Sequence, residues 1–359
     1  MAVLAQRADD PDPDVRRAAA TQLATLPGPA ALRALTALLR DPSDRVRRQA
    51  VLAVGWEAGR SRLATVRAFL RDPAPRVRAG AAVVAGRHRD RESVPDLLAC
   101  LEGPGTWERP SVLVALGRIG DREAIPALVR EADHAASWVR VCAIHALGEM
   151  EAPEALDVAR AHLDDPAWSV RGASAIALAA VGTPADLPRL LSRLDDPHPW
   201  PRRGATYALG RLGLRASAPR IRAGLSDPSP DVRLAAVWAL GELGDAPARR
   251  PLARLLAAAR PANGPGGGLR PADRSTRLGS DAEGRLFDAT VQALKRLSRG
   301  TPDPVVDRAL TAARRRLTDV ELDRPALLPV FEPQDARATT TVRELFERAE
   351  PGNPSPPVV

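Results

Sequence analysis

The sequence has few aromatic residues, few cysteines and almost no lysine, and each shortage narrows its interpretation. Aromatic residues make up 3% of the chain, whereas Ala and Leu dominate, as expected for closely packed helices. Cys100 and Cys142 match neither a disulfide framework nor a metal-binding spacing, so both are predicted to be small buried side chains. Lys295 is the one lysine among 52 basic residues, so the positive charge is carried by arginine.

Long apolar runs are also missing. Residues 1–10 lack the basic and apolar regions of a signal peptide, and no run is long enough to cross a bilayer. The sequence therefore predicts a cytoplasmic protein without a membrane partner. Its formal net charge of +8 and its pI near 10.8 favour acidic partners, nucleic acid among them.

One short motif, roughly Asp-Pro-x-x-x-Val-Arg-x-x-Ala, occurs eight times at a constant spacing of 31 residues. A fixed period of this length is the signature of a stacked repeat array, in which each unit packs on its neighbours. We use the Val position as the reference position of each repeat. It is occupied by Val15, Val46, Val77, Glu108, Val139, Val170, Pro201 and Val232.

Each repeat is predicted to form two antiparallel helices, A and B. In the second copy, Asp41-Pro42 ends helix A and begins helix B, because Asp is a good N-cap and Pro is tolerated at the first helical position. Val46 starts an apolar stripe that recurs every fourth residue along helix B. A pair of glycines, Gly55 and Gly59, is predicted to close the helix.

The register also predicts the domain organisation. Residues 1–257 hold the eight repeats as one array. The Gly- and Pro-rich residues 258–284 are too polar to bury a core and are predicted to form a flexible insertion. A degenerate repeat and C-terminal cap helices follow over 285–317, and the Pro-rich residues 318–359 are predicted to be disordered.

Two antiparallel helices per unit, with Asp-Pro before helix B and Val-Arg inside it, resemble HEAT repeats. The short 31-residue form resembles the phycobilisome-lyase HEAT-like class, over about residues 2–257 with an echo over 285–317. The resemblance implies an all-α fold, a right-handed α-α superhelix (α-solenoid) of about eight to nine repeats. Members of this family include bilin lyases, deoxyhypusine hydroxylase, an alkylpurine DNA glycosylase group and scaffolds, so the fold alone does not determine an activity.

The catalytic chemistry of the family can be compared with the histidines of this chain. The hydroxylase binds two irons through His-Glu pairs, but no histidine here is followed by Glu, and no Gly-rich phosphate loop is evident. The sequence therefore predicts no metal site, no cofactor and no catalytic residue, and it favours a protein that is not an enzyme. The five histidines are His88, His134, His145, His162 and His198.

The residue after the reference position is Arg in every repeat. In HEAT-like repeats this Arg and the preceding Asp form a ladder between adjacent helices, so we interpret the column as structural. The acid is supplied by Asp41, Asp72, Asp165, Asp196 and Asp227. Gly103 and His134 replace it in repeats four and five, which are predicted to be the least regular. The ladder arginines are Arg16, Arg47, Arg78, Arg109, Arg140, Arg171, Arg202 and Arg233.

Positions −1, +6 and +10 from the reference lie opposite the apolar stripe of helix B, on the side that lines a concave groove in the HEAT-like family. Either tryptophan prefers such half-buried sites, or the aromatic residues there mark a binding site, which we favour. The predicted aromatic members, with one histidine, are Trp56, Trp107, Trp138, Trp168, Trp200, Tyr207, Trp238 and His145. The predicted basic members are Arg45, Arg48, Arg76, Arg87, Arg118, Arg203 and Arg211.

Three functions suit such a groove. Trp and Arg are the usual anchors of protein interfaces, which favours a non-catalytic scaffold for a protein or peptide partner. As a lyase or chaperone, the protein would instead stack a bilin-like tetrapyrrole on Trp and pair its propionates with Arg. As a DNA-binding or alkylpurine glycosylase-like protein, it would bind phosphates through Arg and bases through Trp.

Overall fold

In a computed structural model, the described residues are 2–26, 28–57, 62–103, 105, 108–258, 274–298 and 303–314. Helices joined by short turns account for these ranges, and none of them contains a strand. The described residues up to Val158 form one compact unit, and those from Ala159 onward form a second. None of the described helices is both long enough and apolar enough to cross a membrane.

The helices alternate between the two expected types. The A helices are α1 (Ala2–Ala8), α3 (Pro29–Leu38), α5 (Leu63–Arg67), α7 (Val94–Glu102), α9 (Ile125–Ala132), α11 (Glu154–Ala161), α13 (Leu187–Arg193), α15 (Ala218–Ala223), α17 (Arg249–Ala258) and α19 (Pro304–Arg314). The B helices are α2 (Pro13–Leu23), α4 (Asp44–Glu57), α6 (Pro75–His88), α8 (Arg109–Ile119), α10 (Ser137–Glu149), α12 (Trp168–Val181), α14 (Pro199–Arg211), α16 (Pro230–Leu243) and α18 (Arg274–Leu297).

The B helices form the centre of each unit. In the first unit, α2, α4, α6, α8 and α10 pack side by side in chain order, and α12, α14, α16 and α18 do the same in the second. Helices α3, α5, α7 and α9 each pack on the following B helix. This arrangement confirms the predicted all-α repeat fold of the α-solenoid class.

The glycines predicted to close helix B have two separate roles. Gly55 and Gly86 lie inside their helices, where adjacent B helices approach closely. A Cβ on Gly86 would lie 2.8 Å from Ala115 Cα, and a Cβ on Gly55 would lie 2.4 Å from Val84 Cγ1. The second glycine ends the helix, as at Gly120, whose φ of 72° is the left-handed conformation that glycine adopts readily. The interior glycine is therefore required by packing between repeats.

The Asp-Pro dipeptide does not begin helix B, so that prediction is wrong. Helix α6 begins at Pro75, three residues after Asp72, and its N-cap is Ala74 in an extended conformation. Asp72 Oδ1 accepts a hydrogen bond from the backbone N–H of Ala74 at 2.8 Å. This Asx turn uses the aspartate to shape the connection between the helices, and it keeps the carboxylate available to an arginine.

The C-terminal repeat is built around α17 and α18. Helix α18 begins at Arg274, inside the range 258–284 that the sequence analysis assigned to an insertion, and residues 259–273 lie outside the described residues. Phe287 is fully buried one residue after Leu286, in the column where arginine otherwise stands. Helix α19 packs on α17, as a cap helix would, and residues 318–359 also lie outside the described residues.

Candidate functional site

The predicted pairing of each ladder arginine with the carboxylate of the preceding aspartate is wrong. Arg47 binds the carboxylate of the aspartate in the next repeat, and the preceding aspartate contributes its carbonyl oxygen. Arg47 Nε and Nη2 donate hydrogen bonds to the two carboxylate oxygens of Asp72, both at 3.0 Å. Arg47 Nη1 donates to the carbonyl oxygens of Asp41 and Pro42 at 2.9 and 3.0 Å, so one guanidinium joins its own turn to the next. The same carboxylate pairing is made by Arg16 with Asp41, Arg171 with Asp196 and Arg202 with Asp227.

These pairs keep the aspartates ionised. Burial by itself would raise the pKa of Asp196, but hydrogen bonds from Arg171 and from the backbone N–H of His198 outweigh it and hold the pKa below its usual value. The pKa of Asp227 is lowered in the same way, against the effect of burial, by Arg202. Asp196 and Asp227 are therefore members of charged pairs at neutral pH.

In repeat four the acid comes from a different position. Gly103 occupies the place of the aspartate, and Glu108 at the reference position supplies the carboxylate instead. Arg78 Nε donates to Glu108 Oε1 at 3.2 Å, and Arg78 Nη2 donates to the same oxygen. Glu108 is buried, and its Oε2 has no hydrogen-bond partner among the described residues. The sequence did contain a signal, since Glu108 is the one charged residue among the eight reference positions.

Repeat five uses a third arrangement. His134 replaces the aspartate in the turn, where its Nδ1 accepts the hydrogen bond of Ala136 N at 3.0 Å. Arg109 Nη1 donates instead to Glu131 Oε1 at 2.6 Å, from the last turn of α9. Both members of this pair are buried. Nothing in the repeat motif indicated Glu131, because its position is not part of the motif.

The two remaining ladder arginines donate hydrogen bonds to carbonyl oxygens in the turn that precedes their own helix. Arg140 Nη1 donates to the carbonyl oxygens of His134 and Ala135 at 2.9 and 3.0 Å. Arg233 Nη1 makes the equivalent bonds to Asp227 and Pro228 at 2.8 and 3.0 Å. The carbonyl half of the ladder is thus present in these repeats as well.

The predicted binding residues of the first unit include one exposed aromatic contact. Trp56 is 41% exposed at the end of α4, and the Arg87 guanidinium lies over its ring, 4.8 Å from the ring centroid. Arg45 is exposed near the start of α4. Arg76 Nε lies 3.6 Å from Asp44 Oδ2 at the adjacent edge of α6. Arginines therefore lie near both ends of these B helices, and the tryptophan lies near the C-terminal end.

Trp138 and His145 lie half-buried on α10. His145 Nδ1 is 3.9 Å from Glu149 Oε2. Burial lowers the pKa of His145, Glu149 opposes this shift and Arg118 adds to it, so the imidazole is neutral at neutral pH. Trp107, which the sequence assigned to the same surface, lies outside the described residues.

In the second unit, aromatic side chains of successive B helices meet in pairs. The Trp168 ring stacks on the His198 imidazole, with centroids 3.8 Å apart and an interplanar angle of 17°. Tyr207 stacks on Trp238 with centroids 4.8 Å apart and an angle of 24°. All four residues are half-buried, so each ring is partly ordered by its neighbour and partly accessible.

Trp200 takes part in packing between helices. A Cβ on Gly172 of α12 would lie 1.6 Å from Trp200 Cδ1, so the indole occupies the space that this glycine leaves open. The Arg203 guanidinium lies 5.0 Å from the Trp200 ring centroid. Arg211 is exposed at the end of α14. Trp200 is therefore both a surface residue and part of the contact between two repeats.

Comparison with known proteins identifies the repeats. A family model described as HEAT repeats matches residues 1–73, 63–140, 131–210 and 187–263. No curated protein matches the chain. Within the described ranges, no group of three His, Cys, Asp or Glu side chains is placed to hold a metal ion.

Two solved structures are among those similar to this chain. Kap95p, in a complex with RanGDP, is 14% identical with a TM-score of 0.53, and the alignment covers 87% of this chain and 47% of that one. The complex of CpcE and CpcF of phycocyanin lyase from Nostoc sp. PCC7120 is 24% identical with a TM-score of 0.44, covering 59% of this chain and 87% of that one. Because the matched repeats cover more than half of the sequence, the chain belongs to the HEAT-repeat family.

Proposed function

We propose that the protein is a non-catalytic scaffold that binds a protein or peptide partner on the side of its B helices opposite the apolar stripe. The stacked pair of Tyr207 and Trp238 carries this proposal. Two rings that hold each other in place offer apolar area to a partner with little further loss of side-chain freedom. Tyr, Trp and Arg are also the residues that most often dominate binding energy at protein interfaces.

The test is affinity capture with the full chain, comparing the unaltered protein with Tyr207→Ala and Trp238→Ala. Loss of a central aromatic anchor is expected to weaken partner binding about thirtyfold, which corresponds to about 2 kcal/mol. Trp200 is less suitable for this test than Trp238, because a Cβ on Gly172 would lie 1.6 Å from Trp200 Cδ1, whereas a Cβ on Gly210 would lie 3.0 Å from Trp238 Cζ3. Recovered material is analysed for protein, nucleic acid and pigment, because a bound oligonucleotide or tetrapyrrole would replace this proposal with one of the alternatives.

Phe69→Ala provides a matched control, since Phe69 is a half-buried aromatic residue beside α5, on the A-helix side of the first unit. Its truncation is expected to leave partner affinity unchanged. Calorimetric melting of each variant separates loss of binding from loss of folding. If Tyr207→Ala and Trp238→Ala melt normally and bind the partner normally, the aromatic surface is not the binding site.

A further inference from the structure

Arg48 is a half-buried cation that no acid of the described residues pairs with. It lies two positions after the reference residue of α4, and its side chain crosses the face of α6, where a Cβ on Gly80 would lie 3.1 Å from Arg48 Cγ. Arg48 Nε is buried and has no hydrogen-bond partner among the described residues. Burial lowers the pKa of Arg48, and the like charge of Arg76 lowers it further. Both effects oppose the charged form.

Two other partly buried arginines of the same unit have carboxylates, whereas Arg118 Nε, like Arg48 Nε, is buried and has no hydrogen-bond partner among the described residues. The ladder residue Arg47, one position earlier on the same helix, binds Asp72 with two hydrogen bonds. Arg67, outside the ladder, binds both Asp90 and Glu92. A partly buried guanidinium normally has an anion beside it, because desolvation of the charge is otherwise uncompensated. Arg48 therefore differs from Arg47 and Arg67 in lacking a carboxylate among the described residues.

Arg76 lies one helical turn before Gly80 on α6, and its like charge acts on Arg48. Its Nε is 3.6 Å from Asp44 Oδ2, and the Asp44 side chain is 43% exposed, so this ion pair is long and largely solvated. Arg45 is exposed on the same edge of α4. The guanidinium groups of Arg45, Arg48 and Arg76 thus belong to one edge of α4 and α6, and an oxyanion placed beside Arg48 and Arg76 would relieve the repulsion between these two.

The surface next to these arginines is apolar. Leu52 on α4 and Val83 on α6, each six positions after the reference residue, are half-buried between the two ends of their helices. At the far end, the pair of Trp56 and Arg87 adds an exposed aromatic ring and a further cation. A phosphodiester chain would leave Leu52 and Val83 in water, whereas a peptide with both acidic and apolar side chains would cover the whole surface.

We propose that Arg48 and Arg76 bind a side-chain carboxylate of a partner peptide whose apolar residues pack on Leu52 and Val83. The proposal deepens the scaffold function, on which it rests, by giving the first unit a site for an acidic, apolar segment. Guanidinium groups suit this ligand because their planar N–H donors match the two oxygens of a carboxylate.

The experiment measures fluorescence anisotropy of the full chain with two labelled peptides of equal length. One contains Glu and Leu separated by Ser, and the other has Gln in place of every Glu. We expect the Glu peptide to bind more tightly, and Arg48→Met or Arg76→Met to weaken it at least about tenfold, as loss of a charge-assisted hydrogen bond does. Arg48→Met retains an unbranched stem over Gly80, so its melting temperature should not fall.

Arg254→Met is the matched control, because Arg254 is an exposed arginine on α17 in the second unit, and affinity for the Glu peptide should be unchanged. The proposal is overturned if the two peptides bind equally, or if Arg48→Met and Arg254→Met have the same effect. Tighter binding of a single-stranded oligonucleotide than of the Glu peptide would also overturn it, in favour of nucleic acid. If partner capture still depends on Tyr207 and Trp238, such a failure leaves the scaffold function intact.

Discussion

Two parts of the first unit neutralise the ladder arginine with different acidic residues. Between α4 and α6, Arg47 binds Asp72, the turn residue of the next repeat. Between α8 and α10, Arg109 binds Glu131, a residue of helix A, and the turn residue is His134. The arginine is thus constant, whereas the position of its acid varies. The ladder depends on neutralising a partly buried cation, and the chain achieves this wherever a carboxylate can reach it.

The two pairs differ in how many hydrogen bonds the carboxylate accepts. Asp72 Oδ1 accepts hydrogen bonds from both Arg47 Nη2 and Ala74 N, so one oxygen serves the ladder and the Asx turn together. Glu131 Oε2 is buried and has no hydrogen-bond partner among the described residues. A buried oxygen without a partner is costly, and it makes the glutamate pair more dependent on its arginine.

Removal of the arginine should produce the largest difference. Arg109→Ala leaves Glu131 buried without its cation, and the free energy of unfolding should fall by about 3–5 kcal/mol. Arg47→Ala should cost less, because Asp72 keeps the hydrogen bond from Ala74. Denaturant unfolding of both variants tests the order. Equal losses would show that the two pairs are energetically equivalent.

Moving the acid of repeat five from position 131 to the turn position 134 should restore the regular pairing of arginine with a turn aspartate. Glu131→Gln removes the charge that Arg109 binds, and a loss of about 1.5–3 kcal/mol is expected for a charged hydrogen bond. Adding His134→Asp places a carboxylate 25 residues after Arg109, the spacing at which Arg47 finds Asp72, and should recover at least half of the loss. A double-mutant cycle measures the coupling, and purely additive effects would contradict the exchange.

Acid should weaken the aspartate pairs. Because the folded-state pKa of Asp196 is lowered, its stabilisation is complete above the unfolded pKa of about 3.9 and is lost as the pH falls through the lower folded value. Asp196→Asn should therefore flatten the dependence of stability on pH below about 4, relative to the unaltered chain. Urea unfolding at decreasing pH provides the measurement. An unchanged slope would mean that Asp196 does not contribute to acid sensitivity.

The smallest effect is expected in repeat four, where an aspartate is restored in the turn although Glu108 already supplies the acid. Gly103→Asp should change stability by less than about 0.5 kcal/mol, because Arg78 already binds Glu108 and a Cβ at Gly103 would make only an ordinary contact, 3.9 Å from the Cys100 carbonyl oxygen. The same substitution should become clearly stabilising in a Glu108→Val background, in which Arg78 has lost its partner. Thermal melting of the two single variants and the double variant decides this, and a constant effect of Gly103→Asp would contradict it.

Much of this architecture was predictable from the sequence. The spacing of 31 residues indicated helix pairs, and the apolar stripe beginning at Val46 indicated the buried face of helix B, where that valine is fully buried. The interior role of Gly86 was less accessible, because a glycine near a helix end is typical of a C-cap as well. Its contact with Ala115 depends on how closely two B helices approach, and residue spacing does not report that distance.

The sequence by itself determined the repeat period, the helix pairs and the arginine column, because these follow from local periodicity and turn chemistry that recur in every copy. Only the tertiary structure decided which acid meets each arginine, that Trp200 fills the space over Gly172 and that Arg48 packs over Gly80. These contacts join side chains from different repeats. They depend on the distance and rotation between neighbouring helices, which close packing of all the side chains at the interface sets together.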